Sequence, residues 1–381
     1  MNKRKLILVM ALAMSAGAVA NAQTATVLAT GLNSPMKIIL TPEGNLLVSE
    51  ATIQLNNGRV SIVTRAGLRQ TLLDGLPSGP AAPNAQPLGP AALVLDGRTL
   101  YISILEGNAL VPGVTTGSLP FPNPNGPASP MFSSILRVRL SADVDRMLTG
   151  FSLTLDNQYT LADGGEVQLT NSNQQTATLD LLADFPDIPL DPREVYGHVT
   201  PYGMTLDPAR EFLYVADAGQ NRIIKVNVTT GKWQTLLRLP QVPRVPPAGA
   251  LTTTDAVPTG VRFYGEELLV SFLTGAPFAE GAAAIRSINP ATREIRQFIN
   301  LLTTASDLLY RPTSRGPQFF ALEVRTPMGR GPGRLIQYDS PLGKVIADQL
   351  AGPTGMAQDQ VTGDIFVAEF GAGRITQIKL P

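Results

Sequence analysis

The feature that most constrains this chain is a unit of sequence that recurs six times. Each copy opens on an apolar stretch that usually starts at proline, passes through a polar turn, and ends in a second apolar stretch closing on a small residue and often an acid. The clearest copies are Pro35-Met36-Lys37-Ile38-Ile39-Leu40 with Leu46-Leu47-Val48-Ser49-Glu50, and Pro201-Tyr202-Gly203-Met204-Thr205-Leu206 with Phe212-Leu213-Tyr214-Val215-Ala216-Asp217. Others begin at Pro258 and Pro353, with weaker ones at Pro90 and Ala305. Third stretches follow, such as Arg222-Ile223-Ile224-Lys225-Val226 and Arg374-Ile375-Thr376-Gln377-Ile378, and then fourth ones such as Gln234-Thr235-Leu236-Leu237. Period-2 alternation, β-branched residues and Gly/Asn/Asp turns mark these as antiparallel strands. Four short strands per unit, repeated six times, predict an all-β, six-bladed β-propeller.

The ends of the chain agree with that reading. The last copy stops after its third strand, and Thr24–Leu32 matches a fourth strand such as Thr71–Leu76. The N-terminal strand is therefore expected to complete the last blade, which removes an exposed sheet edge. The spacing from 90 to 201 is long enough to raise a seven-bladed alternative. Ser134–Val138 and Thr178–Leu182 nonetheless serve as the third and fourth strands of the second blade, and the residues around 144–174 between them read as an inserted hairpin of Phe151–Leu155 with Glu166–Thr170.

Ahead of the repeats, residues 1–22 show a basic start (Lys3-Arg4-Lys5), an apolar core and an Ala20-Asn21-Ala22 cleavage pattern, the arrangement of a signal peptide. The expected product is one propeller domain over 23–381, exported by a bacterium to the periplasm or the medium, monomeric, with no membrane span after cleavage. The chain has no Cys, one His, and 30 basic against 30 acidic residues. A disulfide framework, a Cys nucleophile and a multi-histidine metal centre are excluded, and nothing in the charge points to nucleic acid.

Propeller geometry places the Pro-rich connections 76–89, 111–130, 186–200, 240–257, 273–281 and 324–331 on one face, where long loops on a rigid scaffold build binding sites. The same face receives Glu50, Asp217, Glu323 and Glu369 from second-strand ends, and His198, Tyr202 and Asp307 from first-strand starts. Such a ring of oxygens suits Ca²⁺, with Glu50, Asp217 and Glu369 as candidate ligands. The competing reading is architectural, each acid capping the backbone N–H groups of its own turn. His198, the one imidazole, is either a general base or a hydrogen-bonded loop residue. No catalytic set is complete, and the catalytic residues stay unassigned.

Gly31-Leu32-Asn33-Ser34-Pro35, Pro201-Tyr202-Gly203 with Tyr214-Val215-Ala216-Asp217-Ala218-Gly219, and Pro258-Thr259-Gly260-Val261 with Leu273-Thr274-Gly275-Ala276-Pro277-Phe278 resemble the ScyD/ScyE family. These are exported NHL-like propellers, first associated with the cyanobacterial scytonemin pigment cluster. The resemblance implies a secreted binding or scaffold propeller whose small-molecule ligand or protein partner sits at the Pro-rich face. The alternative is a Ca²⁺-dependent lactonase or hydrolase similar to the gluconolactonase group, in which Asp217 would stand for the metal-binding Asp. Streptogramin-lyase-like propellers rely on a His, for which only His198 is available.

Overall fold

In the computed structural model, described for residues 25–82, 84–113, 120–187, 198–243, 253–275, 278–324, 331–339 and 342–380, the six repeats form six antiparallel sheets. Their innermost strands are Pro35–Leu40, Pro90–Asp96, Pro201–Leu206, Ala256–Tyr264, Ala305–Arg311 and Pro353–Gln358. These strands neighbour one another in a closed ring, so the sheets are the blades of a six-bladed propeller. Ala25–Ala29 pairs antiparallel with Arg374–Ile378 and supplies the outer strand of blade six. The signal-peptide reading falls on residues outside those described.

The core is divided among the blade interfaces. Ile38 and Val48 of blade one pack on Phe366 and Ala368 of blade six, and each of the other five neighbouring pairs has its own apolar cluster. Second strands lie between two blades and read as continuous apolar runs; Leu46–Glu50 is buried along its whole length. Among the described residues, no helix is long and apolar enough to cross a membrane.

The segment expected to be an inserted hairpin is built differently. Phe151–Ser152 pairs parallel with Leu73 and Asp74 at the outer edge of blade one. Thr154 then caps a helix, Leu155–Ala162: its hydroxyl accepts from the Asn157 N–H, and the Asn157 side-chain oxygen accepts from the Thr154 N–H. Glu166–Thr170 pairs with Thr176–Asp184 as a fifth strand of blade two. The capping box starts a helix where a turn was expected. Gln158 donates to the Gly75 carbonyl and Leu161 is fully buried, so the insertion covers the edge of blade one.

Every first strand carries a register irregularity just after the residue that opens its repeat, as between Pro201 and Gly203, Pro258 and Gly260, and Pro353 and Gly355. Bulges re-aim side chains. Here the second and third residues of each repeat, counted from that opening residue, fall at the propeller axis, and those two layers make the site.

Candidate functional site

Counted from Pro35, Pro90, Pro201, Pro258, Ala305 and Pro353, the third residues of the six repeats are Lys37, Ala92, Gly203, Gly260, Asp307 and Gly355, all of which line the narrow part of the central channel except Gly355. Lys37 is buried, and its ammonium donates to the carbonyls of Thr354 (2.7 Å) and Ser306 (2.9 Å). It lies 3.7 Å from the Asp307 carboxylate, which Arg262 approaches to 3.5 Å from the other side. Small neighbours are required here. A Cβ on Gly355 would stand 2.9 Å from Lys37 Cα, and one on Gly260 would stand 2.8 Å from Asp307 Oδ1. Burial pulls the Lys37 amine down to about 8, against the pull of Asp307. The space left at this level is only about 10 Å³, at the limit for a single water. The charged triad therefore plugs the channel.

Above the plug the second residues open into a pocket of about 460 Å³. Met36, Leu88, Tyr202, Leu273, Phe278 and Phe370 give it apolar and aromatic walls, and Asn84, Gln86, Thr259, Thr304 and Thr354 give it scattered polar groups. None of the described residues lining it is charged. The Lys37 ammonium sits 4.8 Å from the centre of the Tyr202 ring. Burial pushes the Tyr202 phenol well above its ordinary range, so it remains a neutral hydroxyl. Hydroxyls stitch this layer from blade to blade: Thr259 to Ala305 O (2.7 Å), Ser306 to Pro353 O (3.0 Å) and Thr354 to Pro35 O (2.9 Å). At about 1 kcal/mol net each, such bonds fix the pocket more than they stabilise the fold.

The four second-strand acids lie away from this mouth, and each is committed to its own blade. Glu50 accepts from Asn33 N and Arg69, and Asp217 from Thr200 N and Arg222. Glu323 accepts from Thr303 N and Arg334, and Glu369 from Ala351 N, Arg374 and the Thr376 hydroxyl. Burial alone would raise the Glu369 carboxyl, but Arg374 and these donors outweigh it and hold it below its usual range. The expectation that Glu50, Asp217 and Glu369 could share Ca²⁺ is corrected here: they sit in three blades, with their oxygens spent on arginines and turn N–H groups. No group of three or more acidic or histidine side chains among the described residues is placed to hold a metal.

Of the remaining candidates, Tyr202 lines the mouth and Asp307 belongs to the plug below it. His198 is buried between blades two and three, its Nε2 3.4 Å from Glu106, which also accepts from Thr200. Burial lowers the imidazole's proton affinity, but Glu106 more than reverses this and the net shift is upward. Lys37, Arg262 and Glu106 were missed by sequence reasoning. For Lys37 a signal existed, since it is the one basic residue at a repeat position that is small in four blades. A second hollow, of about 490 Å³, lies on the outer flank of blades four and five at Phe298, Phe319 and Tyr338; rings there pack edge-to-face, as Phe298 does on Phe319.

No protein-family profile and no curated protein matches this sequence. Among solved structures, the chain is similar to a putative phosphatase from Bacteroides thetaiotaomicron (TM-score 0.50, 8% identity, covering 92% of this chain and 72% of that one). It is also similar to a streptogramin B lyase (TM-score 0.47, 13% identity, 94% and 98% covered) and a glucose dehydrogenase (TM-score 0.48, 13% identity, 94% and 100% covered). At these identities the likeness concerns the fold alone.

Proposed function

We propose that this chain is an exported binding propeller of the ScyD/ScyE type that takes a neutral, largely apolar small molecule in the axial mouth. The observation that carries the reading is the lining of that mouth: aromatic and aliphatic walls, a few hydroxyl and amide groups, and no charged side chain among the described residues. Its volume falls in the usual range for small-molecule sites, roughly 300–1,000 Å³. The Lys37–Asp307–Arg262 plug closes the floor, so the ligand enters and leaves by one face. A charged ligand would give up its hydration without gaining a counter-charge from the described lining. The groups at the mouth can orient a ligand through hydrogen bonds, and none of the described ones is a nucleophile set against a base.

Calorimetric titration with one aromatic scaffold in neutral, carboxylate and ammonium forms tests this. The neutral form should bind at least tenfold more tightly than either ion, and Leu273→Glu, at a half-buried wall position, should abolish that binding while the protein melts normally. Equal or tighter binding of an ionic form sinks the reading. For the export half of the proposal, N-terminal sequencing of secreted material should begin at Gln23.

A further inference from the structure

We infer that the ligand is elongated: a compact ring system fills the mouth, and an uncharged chain runs from it along a groove between blades six and one. This rests on the reading of the mouth as the binding site. The groove is a second hollow, of about 440 Å³, and it shares a wall with the mouth, the half-buried ring of Phe370. Leu32 and Ser34 of the turn leading into blade one form one side, Ala51 and Ile53 another, and Ala372 faces them from blade six.

Two observations say what occupies it. First, no charged side chain among the described residues lines the groove, although 16% of the chain is charged and Glu50 adjoins Ala51. The Glu50 carboxylate is wholly buried, turned toward Asn33 N, Ser61 and Arg69, so its charge is withdrawn from the groove surface. Second, the groove's outer end keeps apolar side chains in water. Ile53 is 59% exposed and Leu55, on the same connection, is 56% exposed. A neutral aliphatic chain lying there would cover Ile53 and lose no ionic hydration. A peptide fits less well: apart from Pro87, on the short strand Gln86–Leu88, the described lining comes from loops and turns, and Pro87 has no backbone N–H to donate to a peptide.

The test uses 1-naphthol, its octyl-substituted derivative, and the same octyl chain ending in a carboxylate, each titrated into the mature protein. Octyl-naphthol should bind at least tenfold more tightly than naphthol, and the terminal carboxylate should cancel part of the gain. Ala372→Trp fills the groove from an exposed turn position, and Ile53→Asp places a charge in it. Each should bring octyl-naphthol down to the affinity of naphthol and leave naphthol itself unchanged. If naphthol binds but the octyl chain adds nothing, or if neither variant removes its gain, the groove inference is overturned and the mouth reading stands. If neither probe binds, the mouth reading fails and takes this inference with it.

Discussion

Blades one, three, five and six end their second strands on Glu50, Asp217, Glu323 and Glu369, whereas blades two and four place Ile104 and Phe272 at the same register. Opposite the four acids, the third strands carry Arg59, Arg222, Arg334 and Arg374; opposite Ile104 and Phe272 they carry Ser134 and Ala284. An acid and an arginine therefore appear together or are absent together. In blades three, five and six that third-strand arginine clasps the acid, whereas in blade one Glu50 is clasped by Arg69 of the fourth strand; either way the clasp ties a blade's leading turn and second strand to an outer strand. Blade two moves its acid two residues on, to Glu106, which reaches across to His198 and Thr200 of blade three. Blade four uses the freedom differently and contributes Val257, Leu273 and Phe278 to the mouth. The charged positions hold the ring together, and the apolar ones build the cavity.

The sharpest way to break this comparison is to remove one half of a clasp. Glu369→Ala leaves Arg374 and the Ala351 N–H without their acceptor in the blade that closes the ring, and should cost about 3–5 kcal/mol in urea unfolding. Installing blade two's solution, Glu369→Ile with Arg374→Ser, should recover more than half of that loss, because no buried charge is left alone. A double variant as unstable as the single one would show that the pairing rule is accidental.

The plug should respond next in size. Lys37→Met strands the carbonyls of Ser306 and Thr354 and takes one cation from Asp307, leaving only Arg262 beside it. A loss of about 2–3 kcal/mol is expected for these orphaned groups.

Blade two's substitute clasp rests on an imidazole and should make stability depend on pH. His198 holds its proton more tightly when folded, so its contribution is full below its ordinary 6.5 and is lost as pH rises through the raised value. Asp187 works in the same direction: burial moves its carboxyl from 3.8 to about 7, so the fold loses stability as pH climbs through that interval. Glu106 is lowered despite its burial because His198 outweighs it, and its contribution is lost only as pH falls through that lowered value. The melting temperature should therefore fall between pH 5 and pH 8, and Asp187→Asn should flatten the slope. A profile that is flat in the parent protein would contradict the assignment. The smallest effect belongs to metal: with the acids spent on arginines, adding Ca²⁺ or chelator should leave the melting temperature unchanged, whereas a resident ion would raise it with concentration.

The blades and the closing strand could be read from the sequence because they follow from a repeated local pattern. Period-2 runs and turn residues specify each sheet, and Ala25–Ala29 carries the pattern of the fourth strand that the last repeat lacks. The insertion was misread because its helix is short and announced by a single capping pair, Thr154 and Asn157. The role of the acids was half legible: their recurrence pointed to architecture, but a sequence does not show where a carboxylate turns. The pocket's lining was not legible, because it comes from separate blades, and Met36, Tyr202 and Phe370 meet only once the ring has closed.

The most direct test of the central claim is methyl NMR of the mature protein during titration with neutral 1-naphthol. The account predicts saturable shifts at Met36, Leu88, Val257, Leu273 and Val324, which converge on the mouth, and none at the exposed outer Leu342. Shifts confined to methyls outside the mouth, or the same mouth shifts produced with equal affinity by a naphthalene carboxylate, would contradict it.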